Sequence, residues 1–415
     1  MANRVETHAP AYRWVIEALV IVMLIAQVMA WLAPAPILAP IVASLKISMA
    51  QFGLIISIIS LCIGIFSFLG GVLIERFGAL RTLLTGIWML ALGEVASGFA
   101  PDYGTLLLCR VVEGVGYGLV IGPPAALVME WFGEREWPYI NTVNAMMAYV
   151  GLAALFAVTP RVYQAVGSSW HRTLTCYGLS ATVAAILWTL LGRQRHTSAA
   201  SDHQAHSGIN LREVLSMRGV ILMSIALFGG MWVFQLYTSF LPEFFRRYRG
   251  LGLEEASTLT GLLPLTGIFA AMLGGIANGI LGLRKPFLWP LAILSLIGYL
   301  AAILMKDTEG ISVGLILVGI GASGGLAATG TLMMELPGMT PAKLGVAFAT
   351  IWAVGYTGAF ISPILGGMLA PSLGLRNVML LAATFQLLPI ISMSLLHETG
   401  PGRRPLAIPA AAAGH

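Results

Sequence analysis

Long apolar runs alternate with short polar turns from one end of the chain to the other. A membrane-crossing helix needs about 20 mostly apolar residues. Twelve such runs are present, at 14–38, 50–73, 81–100, 105–128, 139–163, 171–191, 218–241, 256–280, 286–305, 311–334, 343–369 and 375–396. Most turns between them are short. The exception is the polar stretch 192–217, with His196, His203 and His206. It reads as a cytoplasmic linker joining a first half, 1–191, to a second, 218–397, and residues 398–415 read as a disordered tail. The pattern predicts an all-α integral membrane protein with twelve transmembrane helices in two six-helix bundles.

Composition narrows the picture. Of 415 residues, 58% are apolar and 10% charged, where a soluble domain is nearer half apolar and a quarter charged. So few charges cannot cover a soluble surface, and a disordered chain would be charge-rich and apolar-poor. The net charge of +5 fits the basic cytoplasmic loops of a membrane protein, and no nucleic-acid partner is expected. Cys62, Cys109 and Cys176 lie in apolar runs without CxxC spacing, which indicates neither a disulfide framework nor a zinc site. His203 and His206 have no further ligand nearby to make a metal site. Met1 to Tyr12 hold no signal-peptide cleavage pattern, so the first run is expected to stay as a span. With the N-terminus inside, the inner segments hold fourteen Lys and Arg and the outer ones eight. That bias favours both termini in the cytoplasm, with the chain a monomer in the plasma membrane, the inner membrane of a bacterium.

The chain also repeats itself. Gly70, Gly71, Gly78, Arg81, Gly151 and Arg172 recur 204 residues later as Gly274, Gly275, Gly282, Lys285, Gly355 and Arg376, and Glu130 recurs 205 later as Glu335. Parallel six-span repeats are the plan of one class of secondary transporters, whose site lies near the bilayer midplane. The turn after the second run reads Gly71-Val72-Leu73-Ile74-Glu75-Arg76-Phe77-Gly78-Ala79-Leu80-Arg81. This resembles the signature loop of the major facilitator superfamily, with Glu75 where Asp is usual. The second copy keeps its glycines and Arg284-Lys285, but has Gly279 opposite Glu75. Arg110-Val111-Val112-Glu113-Gly114 resembles the family's Arg-x-x-polar-Gly motif. The resemblance implies the family's pseudo-symmetric fold and alternating-access transport of a small solute.

Thr340-Pro341 has the form of an N-cap followed by proline at the first helical position, and a helix N-terminus carries about half a positive charge. Glu75 is expected to dock there. Glu75, Arg76, Gly78, Arg81, Glu130, Arg284, Lys285 and Glu335 form a candidate cytoplasmic gate, with Glu130 in reach of Arg76 or Arg81, and Glu335 of Arg284 or Lys285. The resemblance implies that such contacts latch the outward-facing state. The alternative is a set of solvated loop charges.

Charges inside apolar spans are costly and are functional candidates by default. Arg110 lies about seven residues, roughly 10 Å, from the turn at Pro101-Asp102-Tyr103. Glu94 lies about as far from it on the preceding span, and Glu113 is one turn from Arg110 on the same face. Two acids beside one guanidinium suit a proton-coupled carrier; the alternative is a static ion pair. Glu17, at the inner end of the first span, reads as interfacial.

Gln27 and Trp31, Tyr117, Asn144 and Tyr149, Trp232 and Gln235, and Trp352 and Tyr356 are the polar and aromatic candidates for a substrate cavity. The resemblance implies that the first, fourth, seventh and tenth spans line it, with the fifth and eleventh beside them. The alternative places the aromatics at interfaces and uses the amides to join helices. Gly319-Ile320-Gly321-Ala322-Ser323-Gly324 fits G-x-G-x-x-G but follows no strand, so close helix packing is expected. Gly122-Pro123-Pro124 predicts a kink in the fourth span.

No G-x-x-x-x-G-K-[ST] loop for phosphate is present, nor HExxH, a Ser-His-Asp order or an inward His cluster. Neither nucleotide hydrolysis nor another enzyme activity is expected, and no cofactor beyond a coupling proton or ion. The fifth span lacks the paired glycines of the family's drug antiporters, and no Arg stands mid-span in the second or eighth run, as it does in nitrate carriers. Leu241-Pro242 and the basic residues after it resemble members that move small organic anions, and Arg246, Arg247 and Arg249 are expected to draw anions electrostatically. A proton-coupled symporter of a small organic anion leads; drug efflux and a receptor or sensor on a transporter fold are the alternatives.

Overall fold

The computed structural model describes residues 11–133, 136–194 and 211–401. Among them, twelve helices are long and apolar enough to cross a membrane: α1 (Arg13–Leu45), α2 (Met49–Phe77), α3 (Ala79–Ser97), α4 (Tyr103–Trp131), α5 (Tyr139–Ala165), α6 (Trp170–Leu191), α7 (Arg218–Arg249), α8 (Leu253–Leu281), α9 (Lys285–Leu304), α10 (Thr308–Met334), α11 (Lys343–Leu373) and α12 (Leu375–Ser394). His203 and His206 lie outside the described residues, as do most of the linker and the tail from 402.

The six turns at the end opposite the termini are each fixed by local chemistry. Ser48 and Gln51 form a capping box at α2, with Gln51 N donating to Ser48 Oγ at 3.2 Å and Ser48 N to Gln51 Oε1 at 2.8 Å. Asp102 caps α4, accepting from Thr105 N at 3.0 Å, Ser169 caps α6, and Asp307 caps α10, accepting from Gly310 N at 2.7 Å. Backbone N–H groups hold both aspartates below the usual carboxylate range. The other two turns use glycine, since Gly250 has φ +67° and Gly374 φ +77°, a region that side chains with a Cβ avoid.

Several spans are interrupted. α1 is helical from Arg13–Leu32, tightens at Ala35–Ile37 and resumes at Leu38–Leu45. Pro34 and Pro36 cannot donate backbone hydrogen bonds, which accounts for the interruption, and the span runs past the expected 38 because Leu38–Leu45 is itself apolar and helical. α4 breaks between Val120 and Pro123, at the expected kink, and α10 between Ser323 and Leu326.

Lipid removes the hydrophobic drive between helices, so small residues that allow close packing take over. A methyl on Gly93 (α3) would strike Glu113 N of α4 at 2.6 Å, and one on Gly314 (α10) would strike Ala302 N of α9 at 2.7 Å. The G-x-G-x-x-G run is packing of this kind: Gly319 faces α8 at the Leu263 carbonyl, and Gly321 faces Ser295 of α9. Contacts of α1–α6 recur six spans on: α2 with α4 and α8 with α10, α3 with α4 and α9 with α10, α1 with α5 and α7 with α11. The result is two pseudo-symmetric six-helix bundles. α2 against α11 and α5 against α8 cross between them.

The two ends differ. Away from the termini, α2 and α11 touch backbone to backbone: a Cβ on Gly53 would meet the Pro363 carbonyl carbon at 2.6 Å, and one on Gly367 would meet Ala50 N at 2.5 Å. Gly261 of α8 faces Phe156 of α5, and Arg161 Nε lies 3.0 Å from Glu254 Oε1, the one ion pair between the halves among the described residues. At the termini-bearing end, Gly71, Gly330 and Gly345 have no neighbour within 4 Å of a would-be Cβ.

Candidate functional site

Arg110 is fully buried in α4, and its partners come from four spans. Nη1 donates to Glu94 Oε2 at 2.8 Å and Glu113 Oε2 at 2.7 Å, and to the Ala30 carbonyl at 3.1 Å. Nη2 donates to the Trp31 carbonyl and Nε to the Ile55 carbonyl of α2. The α1 contacts lie at the proline break: Pro34 has no N–H for the Ala30 carbonyl four residues earlier, which accepts instead from Ala33 N at 3.3 Å and from the guanidinium. Both acids are fully buried, and Oε1 of each has no hydrogen-bonding partner among the described residues. Two carboxyl groups thus face one cation.

An aromatic path leads from this cluster to the second half. Trp31 meets Tyr117 edge-on at 5.7 Å, Tyr117 approaches Tyr356 of α11, and Tyr356 lies 5.8 Å from Trp352. Trp352 borders a cavity of about 270 Å³. It runs from Gly230 and Tyr299 at mid-depth to Phe287 and Met393 near the termini-bearing end, and among the described residues no Lys, Arg, His, Asp or Glu lines it.

Of the nine expected cavity residues, Tyr149 and Trp352 line this space. Trp232 is stacked flat on Phe385 at 4.1 Å, and Gln235 is fully buried with Nε2 3.5 Å from Ser239 Oγ. Gln27 is buried in α1. Asn144 lies beside Glu17, which is 5% exposed and packed inside the bundle four residues from the start of α1. Sequence reasoning missed Ser295 and Tyr299 on α9 and Gln386 on α12, which do line the cavity. The signal was the i, i+4 spacing of Ser295 and Tyr299, which puts both on one face.

The model of the major facilitator superfamily matches residues 19–355. The chain belongs to that superfamily. It is 26% identical over 243 residues to a hexuronate transporter of Bacillus subtilis, covering 56% of this chain and 57% of that protein. It is 28% identical over 326 residues to a 3-(3-hydroxy-phenyl)propionate transporter of Escherichia coli, covering 76% of each. The chain thus spans little more than half of the first relative's length. Among solved structures, a bacterial homologue of the human lysosomal transporter Spinster superposes with TM-score 0.78 at 15% identity, over 92% of this chain and 96% of that one.

The superfamily's signature loop stands open in the first half. Glu75, Arg76 and Arg81 are exposed, and none forms an ion pair among the described residues. Arg76 lies over its own neighbour Phe77, and Gly78 turns the chain with φ +88°. The expected docking of Glu75 on α11 is absent, because the two bundles stand apart at this end; Thr340 itself caps α11, accepting from Lys343 N at 3.3 Å. Glu130 accepts from Gln194 Nε2 at 3.3 Å; among the described residues Arg76 and Arg81 form no ion pair with it.

The second copy is closed on itself. Arg284 grips Glu335 through Nη2 at 2.9 Å and Nε at 3.2 Å, and Asn278 Oδ1 through Nη1 at 3.0 Å. Lys285, the other candidate for Glu335, donates to the Ser394 carbonyl. The hydrogen bonds from Arg284 hold the Glu335 carboxyl below its usual range, against burial. Thr399 donates to Glu335 at 2.6 Å, and Glu398 accepts from the backbone N–H of Arg284 at 2.8 Å and Lys285 at 2.9 Å. Glu398 and Thr399, expected to belong to a disordered tail, are therefore held in place.

The basic stretch expected to draw anions belongs to the end of α7. α7 continues to Arg249, and Glu243 pairs with Arg246 and Arg247 one turn on. Arg249 donates to the Ile303 and Met305 carbonyls at 2.6 and 2.7 Å. These contacts fix the end of α7, and three guanidiniums against one carboxylate leave it net positive.

Proposed function

We propose that this chain is a carrier of small organic acids, and not an enzyme, working by alternating access and coupled to protons, with its termini in the cytoplasm. The observation that carries the reading is the asymmetry of its ends: the same two bundles touch at one and stand apart at the other. Rocking of two such repeats exposes a central cavity to one side of the membrane at a time. The organic-acid class follows the relatives, one a hexuronate transporter and the other a 3-(3-hydroxy-phenyl)propionate transporter. The excess of Lys and Arg at the termini-bearing end supports its cytoplasmic placement.

Coupling falls to Glu94, Arg110 and Glu113. With both acids ionised the cluster holds one uncompensated negative charge in a buried site. A proton shared by the carboxyls balances it, and the pair then titrates as a unit. Arg110 also holds the α1 break and α2, so a change in cluster charge acts on two further spans.

The test is counterflow of labelled 3-(3-hydroxyphenyl)propionate and of a hexuronate in proteoliposomes, with and without an imposed pH gradient. Arg110→Ala and Glu113→Gln should abolish gradient-driven uptake, while Glu113→Gln keeps counterflow. Unchanged gradient dependence in Glu113→Gln would reduce the cluster to a static ion pair. The uncharged, aromatic lining of the cavity favours drug efflux as a second reading; counterflow of a hydrophobic cation, with no counterflow of either acid, would select it.

A further inference from the structure

An organic acid brings a carboxyl group, and the cavity offers no cationic side chain to meet it. It offers hydroxyls and a helix start. α10 is interrupted at Gly324–Gly325, and its second segment, Leu326–Met334, begins there. Gly325, Leu326 and Thr329 line the cavity. The first N–H groups of a helical segment lack intrahelical partners and favour an anionic oxygen.

A second observation points to the same place. Ser295 and Ser323 are fully buried; Ser323 Oγ lies towards the Tyr149 hydroxyl and Ser295 Oγ towards that of Tyr299, but neither makes a hydrogen bond of full geometry among the described residues. Ser295 lines the cavity and packs on Gly321, where a Cβ would strike its own Cβ at 2.8 Å. Ser323 immediately precedes the break. It shares the bare face of Gly267 with Tyr149: a methyl there would meet Ser323 Oγ at 2.7 Å and the Tyr149 ring at 3.2 Å. Tyr299, one turn from Ser295, completes the group. A buried hydroxyl without a full hydrogen bond costs free energy unless something completes it.

We infer that the carboxyl group of the transported acid docks at the start of the Leu326–Met334 segment, against the hydroxyls of Ser295, Ser323, Tyr149 and Tyr299, held by dipoles and not by a counter-charge. The body of the acid then lies along Phe234, Phe348 and Trp352. A cavity of about 270 Å³ is near the small end of ligand pockets, which suits an acid with one ring. This assignment rests on the organic-acid reading above.

The test is calorimetric titration of the purified full chain with 3-(3-hydroxyphenyl)propionate and with the matching alcohol, 3-(3-hydroxyphenyl)propan-1-ol. The chain should prefer the acid by at least about tenfold. Ser295→Ala and Tyr149→Phe should each weaken acid binding by about tenfold, a charged hydrogen bond's worth, and leave the alcohol unchanged. Thermal midpoints equal to that of the unaltered chain show that the variants are folded. If both variants bind the acid normally while Arg110→Gln does not, the carboxyl sits at Arg110; the site assignment fails and the organic-acid reading stands. Equal binding of acid and alcohol by the unaltered chain also overturns the site. If neither this acid nor a hexuronate binds at all, the organic-acid reading fails and takes the site with it.

Discussion

In the first half, the turn after α2 leaves Glu75, Arg76 and Arg81 exposed. In the second half, the turn after α8 buries Arg284 to 8% exposure and surrounds it with Glu335, Asn278 and Glu398. Both turns pivot on a glycine with positive φ, Gly78 at +88° and Gly282 at +63°, 204 residues apart. Even the closing residues correspond. Gln194 lies against Gly78 and donates to Glu130, and Glu398, 204 residues on, caps Arg284 and Lys285. The difference lies in side chains. Where the first copy has Glu75 the second has Gly279, so the second copy has no acid to offer the other half and turns its arginine inward. A repeated backbone thus serves as a fixed brace on one side and leaves unspent charge on the other.

The largest expected effect comes from breaking the brace. Arg284→Ala strands Glu335 and Asn278 and should cost about 2–3 kcal/mol, below the range for a fully buried pair because Glu335 is partly exposed; thermal unfolding in detergent measures it. A loss below about 0.5 kcal/mol would make the two turns equivalent after all.

A middling effect should appear in acid. The folded-state pKa of Glu335 lies below its unfolded value. Its contribution to stability is therefore present above the ordinary carboxylate pKa and lost as pH falls through the folded value. The thermal midpoint should drop below about pH 5, and Glu335→Gln should flatten that drop. A variant that keeps the full slope would move the acid sensitivity elsewhere, for instance to Glu398, where burial is outweighed by backbone N–H groups that also hold the carboxyl low.

The smallest effect on stability should come from the open turn. Glu75→Gln should change the unfolding free energy by less than about 0.5 kcal/mol, yet slow counterflow if this charge works when the bundles close at this end. An unchanged counterflow rate would leave Glu75 a solvated loop charge.

Much of the fold was legible in the chain. Apolar runs long enough to span a membrane define the helices, and the recurring glycines define the halves. Glu94, Arg110 and Glu113 were legible for the same reason, since a charge within an apolar run stands out and its depth follows from counting. The cavity was not. Helices apolar on every side give no amphipathic signal of rotation, so the spacing of Ser295 and Tyr299 shows that they share a face but not that this face lines the space while Gln235 is buried away from it. Rotation is set by contacts such as Gly321 on Ser295, which belong to pairs of helices. The docking of Glu75 failed for another reason: the contact needs the bundles together at an end where this structure holds them apart.

The proline break in α1 also bears on how the chain is made. Synthesis runs from the N-terminus, and a lone arginine entering lipid is costly. Ala30, Trp31, Ile55 and Glu94 all precede Arg110, and Glu113 follows three residues later. When α4 leaves the ribosome, every group that will satisfy its arginine has been synthesised or lies within the next turn. Nothing from α7–α12 is required, so the most heavily charged point in the membrane can be completed before the second half of the protein exists.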